Sequence, residues 1–444
     1  MPQVRPFRAL RYDAQAVGDL ALVVAPPYDV ISLELQRRLL DRHPANVVRL
    51  DLPLAEPGDE PDDRYRRAAR SLTSWRSAGI LQRDPRPALY AYEQTYQIPG
   101  STVERSQRGI FCRLRLEPFG PESGILPHER TMSGPKEDRY RLLRATAVNT
   151  SPVVALYADP GGRTEALLGE VVESPSIVDL VDDDGVRHRL WAIVDDDSSP
   201  EGPAGPAAEL AALAAGGPIT IADGHHRYET ALRYRDERRS GAATDDGAPY
   251  DDLLALLLES GRQDLTVLPT HRIVRGLGDD GVAGMAGRLQ EHFAVESGVG
   301  RDAMRRAFGP EGWTAGSGRL GLWTRAGGSI MSARAGAFEP FLPTGSDALR
   351  GLDVVRAGIA LERLAGIDAA ALTRGDRLAY SHDATDAMDR VDARRDGADA
   401  VFLLDPTPVD SVIAVAANGE VMPQKSTYFY PKALTGLVIN PHEW

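Results

Sequence analysis

Two histidines and an arginine directly follow a glycine in the segment ITIADGHHRYETALRYRDE, residues 219–237. The apolar start of this segment predicts a strand, Gly224 predicts a turn, and the polar remainder predicts a helix. The first turn of a helix has unpaired backbone N–H groups and partial positive charge, so it favours anions and disfavours cations. The presence of His225, His226 and Arg227 in this turn therefore indicates that an anion binds among them, and we expect a phosphate group.

Lysine is rare in this chain, and each lysine falls in a motif-like segment. Lysine and arginine together number 51, and the lysines among them are Lys136, Lys425 and Lys432. The compact ammonium group of lysine is not equivalent to the planar guanidinium fork of arginine. Positions that keep lysine are therefore candidates for specific contacts, with chance placement as the alternative.

Charged residues are also concentrated in the segment LPHERTMSGPKEDR, residues 126–139. We interpret it as an active-site loop that leads into a helix, in which Lys136 and Arg139 contact phosphate. Ordinary ion pairing at a helix start is the alternative. Glu129 in this loop and Asp223 at the end of the predicted strand are candidate ligands of a magnesium ion.

A third candidate segment is MPQKSTYFYPK, residues 422–432. Lys425, Ser426 and Thr427 are similar to the end of a phosphate-binding loop, although the glycines of a Walker A sequence are missing. We expect these three residues to contact phosphate. The aromatic residues that follow them predict a short strand.

Two further positions carry weaker signals. Glu34 lies at the predicted start of a helix, after the candidate N-cap Ser32, where it is either a solvated acid or a catalytic carboxylate. His271 lies on a predicted strand, where a structural histidine is more common than a metal ligand.

Composition excludes several classes of protein. A chain of 444 residues predicts two or three domains. The net charge of −13 argues against a general nucleic-acid-binding protein, and the single cysteine, Cys112, excludes a disulfide framework. The N-terminus lacks an apolar signal core, and no apolar run approaches the ~20 residues that span a bilayer. We therefore expect a cytoplasmic protein that binds neither membranes nor nucleic acids.

Hydrophobic periodicity predicts a mixture of helices and strands. Residues 88–119 and 171–197 each alternate like a β-hairpin, and residues 265–274 are predicted as one strand. Residues 21–24 and 46–50 are also predicted as strands. The expected fold is α/β or α+β. We place a mixed-sheet, phosphate-binding domain at residues 1–278 and an α/β domain at residues 279–444, whose final segment returns to the site.

Taken together and in this order, the segments PPYDVIS, LPHERTMSGPKEDR, ADGHHRYETA and KSTYFYPK resemble the prokaryotic family of unknown function DUF1015. The resemblance covers nearly the whole chain. Because that family has no assigned function, it implies none for this chain.

The element ADGHHRY also resembles the Gly-x-His-Arg signature of the ParB/sulfiredoxin superfamily. In that superfamily the motif lies at a strand-to-helix turn and binds nucleotide phosphates, which implies this role for Gly224, His226 and Arg227. Sulfiredoxin has its catalytic cysteine where this chain has His225, so sulfiredoxin chemistry is not implied. The DNA-binding helix-turn-helix of the partition proteins is not found either. The resemblance to the free serine kinase of the superfamily remains, and its early acidic residue is loosely matched by Glu34.

These observations predict a nucleotide-dependent phosphotransferase that acts on a small hydroxyl-bearing, serine-like metabolite. The expected cofactor is Mg²⁺ with ATP or ADP, and Mg²⁺ is expected at Asp223 and Glu129. The residues expected to bind the nucleotide are Gly224, Arg227, Lys136, Arg139, Lys425, Ser426 and Thr427. The residues expected to take part in catalysis are Glu34, Glu129, Asp223, His225 and His226.

Two alternatives stay open at this point. One is a nucleotide-binding regulatory protein without turnover. The other is a metal-dependent hydrolase with His128, His225, His226 and His271 as ligands. We expect Arg227→Ala to abolish stabilisation by nucleotide and to leave the fold intact. The sequence does not indicate an oligomeric state.

Overall fold

The computed structural model describes residues 1–129, 133–195, 205–240, 247–261, 265–314, 316–367 and 377–442. The strands are β1 (Val4–Arg5), β2 (Leu10–Tyr12), β3 (Leu81–Arg83), β4 (Leu89–Gln97), β5 (Glu104–Arg115), β6 (Ile125–Leu126), β7 (Val148–Asn149), β8 (Val153–Tyr157), β9 (Val178–Val181), β10 (Arg187–Ile193), β11 (Ile219–Asp223), β12 (Asp252–Glu259), β13 (Thr266–Val267), β14 (His271–Arg275), β15 (Phe293–Val299), β16 (Arg319–Thr324), β17 (Gly327–Ala333), β18 (Leu378–Ser381), β19 (Ala398–Leu403), β20 (Phe429–Tyr430) and β21 (Asn440–Pro441).

The helices are α1 (Ala14–Val17), α2 (Leu33–Arg42), α3 (Val48–Asp51), α4 (Asp63–Ser77), α5 (Ser133–Thr146), α6 (Arg163–Val172), α7 (Pro206–Ala214), α8 (His225–Ser240), α9 (Gly278–His292), α10 (Arg301–Phe308), α11 (Asp347–Arg350), α12 (Asp353–Leu364), α13 (Ala384–Asp392) and α14 (Val409–Ala417). No helix in the described ranges is both long and apolar enough to cross a lipid bilayer. The fold is mixed α/β, which confirms the fold class predicted from the sequence.

The larger sheet has nine strands in the order β6-β11-β8-β12-β5-β4-β10-β9, with β1 beside β5. Its central strand, β12, runs parallel to β8 and antiparallel to β5. Every residue of β12 is buried, because helices and loops cover both faces of the sheet. The uninterrupted apolar run LLALLL is typical of a strand with two buried faces.

Strand β11 carries the candidate site at one end of this sheet. It pairs with β6 in parallel and with β8 in antiparallel orientation, and its register with β8 shifts between Ile221 and Asp223. Such a β-bulge bends the strand and redirects the side chains that follow it. The bulge therefore sets the direction in which Asp223 and the turn after it leave the sheet.

The second sheet has six strands in the order β15-β17-β16-β19-β14-β18, and all neighbouring strands are antiparallel. Helices α10 and α13 pack on one face through residues such as Phe308 and Met388. Strand β14 belongs to this sheet although it precedes residue 278. A boundary near Thr270 therefore fits the sheets better than one at residue 278, and the domain division stays a proposal.

The C-terminal segment after β19 connects the two sheets. Strand β20 pairs with β13, and β21 pairs with β7, which lies next to β8 in sequence. The Gln94 side-chain amide also donates a hydrogen bond to the backbone oxygen of Lys432 at 3.1 Å. These pairings bring the last described residues of the chain against the first sheet.

Local predictions from the sequence are partly confirmed. The two hairpins are present as β4–β5 and β9–β10. Residues 265–274 form two strands in different sheets, with Pro269 between them, so the prediction of one strand was wrong. The predicted strand at residues 46–50 is a helical turn. Asn46 explains it, because its side chain caps the N–H of Val48 and donates to the carbonyl of Val24.

Candidate functional site

A cavity of about 190 Å³ lies where the first turn of α8 faces the C-terminal segment. Its walls come from six separate parts of the chain. The lining residues are Tyr28, Asp29, Val30, His128, Glu129, Ala222, Asp223, Gly224, His225, His226, Arg227, Thr270, Tyr380, His382, Lys425, Thr427, Tyr428 and Lys432.

Gly224 forms the turn between β11 and α8. Its φ of +89° lies in the left-handed region that favours glycine, and its carbonyl accepts the first helical hydrogen bond from the N–H of Tyr228 at 3.0 Å. A Cβ at this position would lie 2.8 Å from Nε of Arg227. Both the backbone conformation and the close guanidinium group therefore require glycine here.

We expect Gly224→Ala to lower the free energy of unfolding by about 1–3 kcal/mol, because it combines an unfavourable φ with a steric clash. The measurement is urea denaturation of the full chain. Gly217→Ala is the matched control, since a Cβ there would meet no atom within 4 Å. Equal stabilities of the two variants would contradict this account of the turn.

Asp223 is held between two cations. Its Oδ2 accepts a hydrogen bond from Nη2 of Arg227 at 2.7 Å, and its Oδ1 accepts one from Nζ of Lys432 at 3.2 Å. Burial acts to raise the pKa of Asp223, but the charges of Lys432 and Arg227 outweigh it and hold the pKa well below its ordinary value. The carboxylate is therefore ionised, and each of its oxygens already contacts a cation.

Arg227 connects α8 to the start of β8. In addition to its ion pair with Asp223, its Nη1 donates hydrogen bonds to Oγ of Ser151 at 3.2 Å and to the carbonyl of Pro152. The Arg227 side chain is only 12% exposed. These contacts use three of the five guanidinium N–H donors, so Nε beside Gly224 and the second N–H of Nη2 are the donors that remain for a ligand.

His128 and His225 form a buried pair of neutral imidazoles. The backbone N–H of His128 donates to Nε2 of His225 at 3.2 Å, so this nitrogen carries no proton. Nδ1 of His128 donates to the carbonyl of Ile221, which leaves its Nε2 to accept a hydrogen bond from the hydroxyl of Thr427 at 2.9 Å. Burial lowers the pKa of His128 to about 4 and that of His225 well below its ordinary value. Both histidines are therefore uncharged, and their hydrogen bonds fix the positions of the neighbouring groups.

Glu129 contacts the turn that contains Lys425. Its Oε1 accepts a hydrogen bond from the backbone N–H of Lys425 at 3.0 Å. Burial raises the pKa of Glu129, and the backbone N–H of Lys425, the Lys425 charge and the N–H of Ser426 oppose this effect. The carboxylate thus meets backbone amides of the segment that we predicted to bind phosphate.

The wall opposite α8 is aromatic. The rings of His382 and Tyr428 stack with centroids 3.7 Å apart, and Nζ of Lys432 lies 4.2 Å from the Tyr428 ring centroid. Nδ1 of His382 donates to the carbonyl of Pro269 at 3.0 Å, so its Nε2 is an acceptor. Thr270 is 2% exposed, and its hydroxyl has no hydrogen-bond partner within the described ranges. A buried hydroxyl without a partner is a group that a ligand can satisfy.

Four of the predicted site residues do not line this cavity. Glu34 is exposed on α2, and Oγ of Ser426 donates to the carbonyl of Pro423 at 2.5 Å. Lys136 forms an ion pair with Glu229 on the neighbouring helix. These three predicted contacts therefore have no support in the geometry of the cavity.

Arg139 is the fourth residue outside the cavity. It donates to Asp138 and to the carbonyl of Asp51, and its guanidinium lies 4.1 Å from the ring centroid of Tyr28, which does line the cavity. Arg139 therefore positions Tyr28 and does not face the ligand space.

The geometry brings together predicted residues from three motifs: Glu129, Asp223, Gly224, His225, His226, Arg227, Lys425 and Thr427. Lys432 also lines the cavity. The rarity of lysine marked it as a candidate for a specific contact, but it was not among the residues expected to bind the nucleotide. Thr270, Tyr380 and His382 carry no such signal. They stand outside the four motifs and reach the cavity through the pairing of β14 with β18.

The described residues contain no group of three or more His, Cys, Asp or Glu side chains arranged to hold a metal ion. His271, a ligand in the hydrolase alternative, does not line the cavity. Its Nδ1 accepts a hydrogen bond from the N–H of Leu404 at 3.1 Å. The geometry therefore does not support the four-histidine metal site.

The model of a family described as protein of unknown function, DUF1015, matches residues 4–354. This match confirms the family resemblance, although the fourth motif, at residues 425–432, lies beyond the matched range. No curated protein matches the chain. Among solved structures, a free serine kinase in complex with AMP is 14% identical, with a TM-score of 0.37 over 74% of this chain and 91% of that chain.

Two other solved structures are similar at comparable levels. A conserved hypothetical protein from Pyrococcus furiosus is 14% identical, with a TM-score of 0.35, and the match covers 74% of this chain and 95% of that chain. SbnI with a C-terminal truncation, from Staphylococcus aureus, is 10% identical, with a TM-score of 0.33 over 72% of this chain and 86% of that chain.

Proposed function

We propose that this chain, which belongs to the DUF1015 family of proteins of unknown function, binds nucleotide phosphates in the cavity and transfers a phosphoryl group to a small hydroxyl-bearing metabolite. The observation that carries the proposal is the convergence of residues 223–227 and residues 425–432 on one cavity. These two segments supply the helix start and the lysines that a phosphate group requires.

Positively charged groups support phosphate as the ligand, although the cavity is also lined by the carboxylates of Asp29, Glu129 and Asp223. Lys425 lines the cavity, and its ammonium forms no ion pair with any residue that the structure describes. Lys432 is shared with Asp223, and α8 directs its positive end toward the same space. Phosphoryl transfer depends mainly on positioning and on neutralising charge, which is what these groups provide.

The residues fit magnesium less well than they fit phosphate. Asp223 is not suited to bind Mg²⁺ directly, because both carboxylate oxygens already contact cations. Glu129 is engaged by the backbone N–H of Lys425. We therefore assign no step to a metal ion, and ATP or ADP remains the proposed phosphoryl donor.

His226 lines the cavity, and we assign to it the role of accepting a proton from the metabolite hydroxyl. Burial, and then the charge of Lys136, lower the pKa of His226, which favours the neutral imidazole that a base requires. His225 is less suited to this role, because its Nε2 is already an acceptor for the N–H of His128. In this mechanism Lys425, Lys432 and Nε of Arg227 bind phosphoryl oxygens while His226 orients the hydroxyl.

The test is a thermal-shift series with AMP, ADP and ATP, each with and without Mg²⁺, followed by phosphorus-31 NMR with serine and other small alcohols. We expect a nucleotide to raise the melting temperature and a phosphate monoester to appear. A nucleotide that binds and stays intact with every alcohol would indicate a regulatory protein without turnover. No stabilisation by any nucleotide would contradict the proposal.

We expect Lys425→Ala to weaken nucleotide binding roughly 10- to 100-fold, because a charge-assisted contact to phosphate contributes about 1.5–3 kcal/mol. Lys136→Ala is the comparison, since the Lys136 ammonium pairs with Glu229 outside the cavity. Isothermal titration calorimetry measures both dissociation constants. A larger loss for Lys136→Ala would favour the contacts predicted from the sequence over the geometry of the cavity.

A further inference from the structure

The turn around Lys425 has the geometry of an anion-binding site. Lys425 has a φ of +58°, a left-handed conformation that is unfavourable for a residue with a Cβ. A left-handed residue within a turn directs successive backbone N–H groups toward one point, which forms a concave site for anions. In this turn the N–H groups of Lys425 and Ser426 both contact the Glu129 carboxylate.

The turn is held in place from behind by contacts that do not involve Glu129. The Lys425 carbonyl accepts a hydrogen bond from Nη2 of Arg272 at 2.9 Å, and the Ser426 carbonyl accepts one from the hydroxyl of Thr407 at 2.9 Å. The Ser426 hydroxyl closes the turn onto Pro423. The carbonyl groups of the turn are engaged on one side. The N–H groups of the turn therefore remain directed toward the position of Glu129, whether or not the Glu129 carboxylate is present.

The Lys425 side chain adds positive charge beside these amides. The exposed residue Lys425 lines the cavity, and its ammonium has no ion-pair partner in the part of the chain that the structure describes. The charges of Lys425 and Arg272 both favour the ionised form of Glu129. A ligand oxyanion of higher charge would meet the same amides and the same ammonium group.

We infer that the Lys425–Ser426 turn is a phosphoryl-binding site that the Glu129 carboxylate occupies until a ligand phosphate displaces it. The inference rests on the proposed function, because it assumes that phosphate enters the cavity. Glu129 is then an internal competitor that lowers the affinity for phosphate. Two anions cannot share the same pair of N–H groups without strong repulsion, so ligand binding requires the carboxylate to leave the turn.

This role predicts the opposite result from the magnesium role that the sequence suggested for Glu129. A metal ligand strengthens the binding of a metal–nucleotide complex, so its removal weakens binding. A competing carboxylate weakens the binding of phosphate, so its removal strengthens binding. The two roles therefore predict opposite changes in the affinity for the phosphate-containing ligand when Glu129 is replaced.

The experiment is a calorimetric titration of inorganic pyrophosphate, without metal, into the full chain and its variants at pH 7.5. We expect Glu129→Gln to bind pyrophosphate about 10-fold more tightly than the natural chain, and Glu129→Ala at least as tightly as Glu129→Gln. Glu137→Gln is the matched control, because Glu137 pairs with Arg141 and Arg233 away from the cavity. Adding Lys425→Ala to Glu129→Ala should reverse the gain.

Unchanged or weaker pyrophosphate binding by both Glu129 variants would overturn the inference, and so would the absence of pyrophosphate binding in every protein. Thermal unfolding without ligand checks that each variant is folded. Tighter pyrophosphate binding without any nucleotide binding would support the anion site and reject the proposed function. Nucleotide binding with the same affinity in the Glu129 variants as in the natural chain would support the proposed function and reject the competing role of Glu129.

Discussion

Arg227→Ala should lower the free energy of unfolding by about 3–5 kcal/mol, as expected when one partner of a buried ion pair is removed. The substitution leaves the Asp223 carboxylate with Lys432 as its remaining cation, and it removes the hydrogen bonds to Ser151 and Pro152. The side chains of the pair are only 12% and 18% exposed, so solvent does not replace these contacts.

This expectation differs from the prediction made from the sequence, in which Arg227→Ala abolishes stabilisation by nucleotide and leaves the fold intact. Arg233→Ala is the matched control on the same helix, because the ion pair between Arg233 and Glu137 is about half exposed and contributes about 1 kcal/mol at most. Urea denaturation of both variants measures the difference. Similar stabilities would mean that Arg227 has no structural role, and loss of ligand binding alone could then identify it as a phosphate ligand.

Acid should destabilise the protein above the pH at which most carboxylates titrate. Three buried histidines and the half-buried His382 have pKa values that burial lowers from 6.5, to about 4 for His128 and His382 and to about 3 for His271 and His442. Their unfolded forms bind protons more tightly than their folded forms. Stability is therefore fully present above pH 6.5 and is lost as the pH falls toward the folded pKa values.

Each of these histidines should lower the free energy of unfolding by about 2 kcal/mol when the pH falls from 8 to 5. Asp353 acts in the opposite direction, because burial raises its pKa to about 6 and its protonation in the folded state adds about 1 kcal/mol over the same range. The histidine terms together exceed this gain, so we expect the protein to lose stability as the pH falls from 8 to 5.

Urea denaturation at pH 8, 6 and 5 tests this prediction. His442→Gln is the informative variant, because His442 is buried against Tyr234 outside the cavity and glutamine does not titrate. The variant should lose about 2 kcal/mol less than the natural chain between pH 8 and pH 5. A pH dependence that is identical in the two proteins would show that His442 does not contribute to acid unfolding.

Local patterns predicted the elements that depend on local forces. The alternation in β4 and β5, the Asp-Asp-Gly turn before β10 and the strand–glycine–helix segment at residues 219–237 are all present. In each of them the hydrophobic period and the turn residue favour the same structure. Lys425 and Lys432 line the cavity, so the rarity of lysine was also a useful signal.

Contacts between distant segments could not be predicted in the same way. The ion pairs of Asp223 with Arg227 and Lys432 occupy a carboxylate that the sequence suggested for magnesium. His382 and Thr270 enter the cavity through strand pairing in the second sheet, which no local period encodes. Residues of identical type can therefore bind a ligand or support a fold, and the difference is set by tertiary partners.

The distribution of the cavity along the chain has a consequence for protein synthesis. Its walls begin at Tyr28 and end at Lys432. A nascent chain that has not yet released residues 425–432 from the ribosome lacks both cavity lysines and the strand that pairs with β13. A ligand that needs both lysines can therefore be captured only after residues 425–432 have left the ribosome, so it cannot assist the folding of the segments that are made before them.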